Sequence, residues 1–201
     1  RSQAFRRGLQ ETDLTCARLA AALLLATPVL GTAERTPLLL DDFSRPDGRS
    51  ALGTAWRAFT DQVMGGVSTQ SVGRETVEGE RALRLRGEVR LENDGGFVQV
   101  ALDLGGPRDA SAFEGLRLRV RGNGERYAVH LRTRDTRLPW QYYEAAFTAG
   151  PRWSEVEIPF GAFAPRALRT PLDRRALLSV GIVGSKRAFQ ADVAVSRIEL
   201  Y

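Results

Sequence analysis

"FEGLRLRVRGNGERYAVHLRT" occupies residues 113–133, and its reading decides the fold. From Gly115 to Gly122 the apolar side chains Leu116, Leu118 and Val120 alternate with Arg117, Arg119 and Arg121. Successive side chains of an extended strand point to opposite sides, so this is a strand with one buried and one solvated face. "GNGE" (122–125) is a turn signal. Beyond it Tyr127, Val129 and Leu131 alternate with His130 and Arg132 in a second strand. The same period of two recurs outward along the chain, in "ALRLRGEV" (82–89), "GFVQVALDL" (96–104), "EVEIPF" (155–160), "SVGIVG" (179–184) and "ADVAVSRIELY" (191–201). The last changes phase near Ser196, as a bulge would. "NDGG" (93–96), "GGP" (105–107) and "GP" (150–151) punctuate these runs, and only "LDRRALL" (172–178) reads as a short helix, with Asp173 as its cap. About ten strands with at most one or two short helices predict an all-β protein, an antiparallel β-sandwich of jelly-roll type.

The chain has 201 residues, 43% hydrophobic and 26% charged, which suits one domain with a sizeable core, expected over 38–201. Its positive charge is nearly all arginine, with Lys186 the only lysine, and a formal net charge of +5 is scattered among acids such as Glu78, Glu80, Glu155 and Glu157. Arginines alternating along a strand form a solvated face, so no nucleic-acid partner is expected. Ahead of the strands, Arg6, Arg7 and Arg18 precede an apolar run from Leu19 to Leu30 and the small residues Gly31 and Ala33. This pattern predicts a signal-peptide-like segment over 1–33, with a mature start near Glu34 and export to the periplasm or beyond. Uncleaved, the segment would anchor the chain to a membrane; once removed, the domain is at most peripheral to one. Cys16 is the sole cysteine and lies ahead of the run, so the strand region has no disulfide framework, thiol nucleophile or cysteine zinc site.

The motifs for catalysis are incomplete. His130 is the single histidine and sits mid-strand, and no G-x-S-x-G elbow accompanies it. "GIVGSK" (181–186) lacks the phosphate-loop spacing, and Tyr127 occupies the third glycine position of a dinucleotide fingerprint at 122–124. Neither a cofactor nor a catalytic residue is expected. Asp61, Asp94 and Glu144 are carboxylates whose meeting in space the sequence leaves open. Asp41 with Asp42, or Asp192, are oxygen donors of the kind a structural Ca²⁺ takes, without the spacing of a calcium loop.

"DQVMGGVS" (61–68) holds the only methionine. The first reading is structural: Gly65 and Gly66 permit positive φ or close approach, Asp61 and Ser68 tie the flanks, and Met64 plugs the core beneath. The second is a ligand- or partner-facing loop made from Asp61, Met64, Gly65, Gly66 and Ser68 with Asn93 and Asp94. A separate aromatic stretch, "LPWQYYEAAF" (138–147), offers Trp140 and Tyr142 near Gln141 and Glu144, with Trp153 following. Flat rings beside hydrogen-bonding groups suit a sugar, although alternation sends Tyr142 and Tyr143 to opposite faces.

"DDFS" (41–44), Trp56, "DQVMGGVS", "NDGGF" (93–97), the 113–133 stretch, W-x-x-V-x-I-P-F (153–160) and "SRIELY" (196–201) occur in one order. Together they resemble the complex I intermediate-associated protein family, whose mitochondrial members assist assembly of NADH:ubiquinone oxidoreductase. The resemblance implies a galactose-binding-like jelly roll and a binding or chaperone-like role at a membrane complex, with no established catalytic residues. An exported domain would lie on the wrong side of the membrane for that role. Two functions therefore stand side by side: a protein-interaction module contacting subunits of a membrane complex, and an exported carbohydrate-binding module.

Overall fold

In the computed structural model, which describes residues 36–201, the alternation of 113–133 is realised as two strands that belong to different sheets. The strands in chain order are β1 (Leu38–Asp41), β2 (Trp56–Thr60), β3 (Thr69–Val77), β4 (Glu80–Val89), β5 (Phe97–Arg108) and β6 (Gly115–Gly122). They continue as β7 (Arg126–Thr133), β8 (Tyr142–Thr148), β9 (Ser154–Pro159), β10 (Ala164–Arg166), β11 (Leu177–Ser185) and β12 (Phe189–Leu200). One six-stranded sheet runs β3-β4-β12-β6-β9, with β1 alongside the end of β12; the other runs β10-β8-β7-β11-β5-β2. Every pairing is antiparallel, and the sheets face each other as an all-β jelly-roll sandwich. The Leu19–Leu30 run, Cys16 and the expected cleavage region lie outside the described residues.

Leu83, Leu85, Leu116, Leu118, Val120, Val193 and Ile198 of the first sheet meet Val98, Val100, Leu102, Val129, Leu131, Val180 and Ile182 of the second in one buried cluster. Truncating such a leucine to alanine costs about 2–5 kcal/mol through lost transfer energy and the cavity left behind. The β12 register shifts between Val195 and Arg197, so the phase change near Ser196 is a bulge that returns Ile198 and Leu200 to the core. The 172–178 stretch shrinks to one 3-10 turn, Arg174–Ala176, with Asp173 accepting from Arg175 N.

The turn at 122–125 is where the chain passes between the sheets, and side chains fix it. Tyr127, 2% exposed, donates its hydroxyl to Asn123 Oδ1 (2.7 Å) and accepts from Asp192 N (2.8 Å). Burial pushes this phenol up to about 12. Asn123 in turn donates to Gln190 O (2.6 Å). On the outer face of the first sheet nearly every arginine meets a carboxylate. Arg119 grips Glu80 (2.5 Å), Arg117 reaches Glu157 (2.7 Å) and Glu199 (3.1 Å), Arg84 forks onto Asp192 (2.6 Å), and Arg121 pairs with Glu78. Cross-strand pairing of opposite charges is what alternating Arg and Glu provide on adjacent strands.

Candidate functional site

The DQVMGGVS stretch connects β2 to β3 and opens with a 3-10 turn, Asp61–Met64, capped by Thr60. Asp61 is fully buried, and its carboxylate accepts from Ser68 N (2.9 Å), Ser68 Oγ (2.5 Å), Gly96 N (2.5 Å) and Phe97 N (3.2 Å). Burial alone would push this carboxyl up; the hydrogen bonds outweigh it and hold it below the usual carboxylate range. Two chain segments far apart in sequence, 61–68 and 90–97, are thereby tied to one buried anion. The glycines follow from that packing. A Cβ on Gly66 would lie 2.3 Å from Asp61 Cγ, and one on Gly95 would lie 2.6 Å from Asp61 Oδ2. Ser68 also accepts from Arg90 N (3.0 Å), and Asn93 donates to Gly65 O (3.1 Å). Asp94, with φ of 55°, is exposed beside it.

Asp61, Gly65, Gly66, Ser68, Asn93 and Asp94 are therefore brought together in one loop pair. The expectation that Met64 plugs the core is overturned: Met64 is 62% exposed and Val63 is 74% exposed. The 3-10 turn carries Asp61 inward as the buried member, and that turns its neighbours out to solvent. Leu91 is exposed on the partner loop, and Phe59 at the end of β2 stands edge-on to Phe97 at 6.2 Å. The tip thus presents aliphatic surface on a platform held by side-chain hydrogen bonds.

Trp140 and Tyr142 lie elsewhere. The register Phe97↔Ser185 puts the Asp61 loop pair at one end of the second sheet, and Leu177↔Arg108 with Leu177↔Thr133 puts the β7–β8 loop at the other. Trp140 is exposed on that loop, while Tyr142 begins β8 and stacks on the His130 ring at 3.9 Å. Trp153 is not part of this group. It covers Val77, Ala82 and Ala194 on the outside of the first sheet and donates to Val77 O (3.2 Å). Gln141 is also unavailable to a sugar, because its side chain bonds the backbone at Arg137, Leu138 and Ala167.

Beside Tyr142, Glu144 is 9% exposed and collects His130 (3.3 Å), Lys186 (2.5 Å) and Arg166 (3.1 Å). The hydrogen bond from His130, with Lys186 close behind, draws its carboxyl down to about 2. Burial pushes the His130 imidazole down, so it is neutral at pH 7. Glu144 is three strands from the β5 end where Asp61 is held, roughly 14 Å at the usual strand spacing. Of the three carboxylates left open by the sequence, Glu144 thus stands apart from Asp61 and Asp94, and Asp61 is taken up by its four donors. The calcium candidates are also committed: Asp41 accepts from Phe43 N, the Trp56 indole and Arg74, and Asp192 holds Arg84. Among the described residues no three His, Cys, Asp or Glu side chains cluster as metal ligands. Sequence reasoning missed Val63, Leu91, Arg132 and the Lys186–Glu144–His130 group; the one available signal was the presence of a single lysine.

No sequence among the curated proteins matches this chain. Its structure is similar to the family 11 carbohydrate-binding module of the cellulosomal cellulase Lic26A-Cel5E of Clostridium thermocellum, with TM-score 0.63, 16% identity, and 82% of this chain and 94% of that one covered. A family 11 carbohydrate-binding module from Clostridium thermocellum in complex with a β-1,3-1,4-mixed-linked tetrasaccharide gives TM-score 0.62 at 16% identity, covering 82% of this chain and 94% of that one. A family 30 carbohydrate-binding module of the cellulosomal cellulase Cel9D-Cel44B of the same organism gives TM-score 0.51 at 18% identity, covering 66% and 82%. At such identities the likeness is one of fold. The sequence profile described as Complex I intermediate-associated protein 30 matches residues 42–193, which include both halves of the Asp61-centred loop pair and the sheet-crossing turn held by Tyr127. The chain belongs to the complex I intermediate-associated protein 30 family.

Proposed function

We propose that this domain is a non-catalytic protein-interaction module, of the chaperone-like or assembly-factor kind, that engages a subunit of a membrane complex through the tip of its Asp61-centred loops. The observation that carries this is the exposure of Val63 and Met64, at 74% and 62%, on a turn whose backbone is fixed from below. Apolar surface presented without flexibility loses little entropy on docking, and a methionine adapts to an irregular partner surface. The outermost side chains, Val63 and Met64, are aliphatic and offer a sugar no flat ring, so the tip favours protein over glycan. The family's description fits such a role. A photo-crosslinking residue placed at 63 or 64 in the native host is expected to trap one membrane-protein subunit reproducibly, while the same residue at Glu157 on the first sheet traps none. Equal or absent adducts at both positions would remove this reading.

A second reading rests on Tyr142, whose partly exposed ring lies beside Glu144 and Arg166 on the outer face of the second sheet, and on the likeness to a module seen with a mixed-linked tetrasaccharide. Titration calorimetry with that tetrasaccharide tests it: heat lost in Tyr142→Ala supports glycan binding there, and no heat with the parent chain ends it.

A further inference from the structure

We propose that the β7–β8 end of the domain is a docking surface for an anionic lipid bilayer. Side chains, rather than core packing, fix the loop 133–142. The Arg132 guanidinium donates to Thr136 O and Leu138 O, both at 2.9 Å. Gln141 Oε1 accepts from Arg137 N (3.0 Å) and Leu138 N (3.1 Å), and its Nε2 donates to Ala167 O (3.1 Å), which locks the loop to the 166–176 segment. The Tyr143 hydroxyl adds contacts to Thr170 O (3.0 Å) and Pro171 O (3.1 Å). The loop so held leaves Leu138 43% and Trp140 61% exposed.

Four arginines stand on the loops at this end. Arg134, Arg137, Arg169 and Arg175 are exposed, and among the described residues none has a carboxylate within ion-pair distance. The acids at this end are Asp135, Asp173, which is engaged in capping Arg175 N, and Asp109, which accepts from Ser111 N and feels the charge of Arg175. The contrast with the first sheet, where the arginines are held in ion pairs by Glu and Asp, marks this end as net positive surface whose four arginines are not locked to a carboxylate. Arginine forks bind phosphate oxygens, and tryptophan settles at the level of lipid headgroups, with one side apolar and its N–H in water. A leucine beside it finds apolar surroundings at the acyl boundary, which a nucleic-acid backbone does not provide. Charge complementarity together with this aliphatic member selects the bilayer.

The test uses the full chain, sedimented with vesicles of phosphatidylcholine alone or with about one third phosphatidylglycerol. Expected is partition onto the phosphatidylglycerol vesicles well above that onto neutral ones, falling with added salt, with a blue shift of tryptophan emission. Any membrane binding by the apolar run Leu19–Leu30 is common to all variants and cancels in the comparison. The double variant Arg137→Glu with Arg169→Glu is expected to lose at least about tenfold in partition. Trp140→Ser is expected to lose the blue shift with near-ultraviolet dichroism otherwise retained, and Arg86→Glu, a like charge change on the first sheet, is expected to bind like the parent chain. Equal partition onto both vesicle types, no partition at all, or undiminished partition by the double variant each overturns the proposal. Displacement from vesicles by equimolar duplex DNA also overturns it, in favour of a nucleic-acid surface.

Discussion

Two loops at opposite ends of one sheet are built on the same device with opposite charge. At one end a buried carboxylate, Asp61, gathers backbone and hydroxyl donors from Ser68, Gly96 and Phe97. At the other a guanidinium, Arg132, gathers carbonyls from Thr136 and Leu138. Each leaves apolar side chains outside, Val63 and Met64 in the first case, Leu138 and Trp140 in the second. The difference lies in burial. Asp61 is wholly enclosed, so it needs every donor and two glycines to make room, whereas Arg132 is half-exposed and can exchange a carbonyl for water.

That difference sets the scale of the first two perturbations. Asp61→Ala leaves several buried donors unpaired and is expected to cost about 3–5 kcal/mol of stability in chemical denaturation, with Gly66→Ala close behind at about 2–4 kcal/mol. A loss under about 1 kcal/mol for Asp61→Ala would mean that the hub is dispensable and the contrast with Arg132 void. Arg132→Ala is expected to cost only about 1–2 kcal/mol. Hydrogen exchange should quicken across residues 134–141 while the amides at the centre of β7 keep their protection.

The residues legible in the sequence follow the same division. Alternation fixed which side chains of 115–122 and 127–133 face the core, because strand geometry leaves no other choice. It could not say that the turn between them crosses from one sheet to the other, since that depends on Asn123 and Tyr127 meeting Gln190 and Asp192, some 65 residues away in sequence. Asp61 and Ser68 could be recognised as ties because their types are suited to backbone bonding and the glycines beside them demand a close neighbour. The direction of Met64 was not legible: a 3-10 turn between extended segments has neither period, so nothing local assigns its faces. Arg132 was read as the solvated face of a strand. Its work on the loop depends on carbonyls oriented by a chain path that no local pattern encodes.

Between the two ends, Glu144 provides a finer probe. Its carboxyl is held near 2, below the usual 4.5, by His130 and Lys186, so its contribution is present above about pH 4.5 and is lost as pH falls toward 2. His130, whose folded pKa is depressed by burial, acts in the same direction, because the unfolded chain takes up its proton first as pH falls below 6.5. Acid therefore destabilises through both groups. Glu144→Gln is expected to flatten the pH 2–5 limb by about 1 kcal/mol after solvent screening, read from denaturation midpoints, with the loops at either end unaffected. An unchanged acid limb would show that this group carries none of the pH dependence.

The smallest expected effect on stability belongs to the exposed tip. Val63→Ala and Met64→Ala should each change stability by less than about 0.5 kcal/mol, yet weaken crosslinking or co-purification of the partner several-fold. Equal loss of fold and partner would place these side chains in support of the loop, against their exposure.

Met64 has one more consequence. It is the only thioether in the chain and stands in the open, so a mild peroxide finds a single methionine to oxidise. The sulfoxide would place a polar, chiral group at the centre of the apolar tip without disturbing the sandwich below, and reductase treatment would restore it. Chemical oxidation, with the Cys16 thiol blocked beforehand, is thus a reversible modification of the Asp61-centred loop at its one methionine that needs no change of sequence.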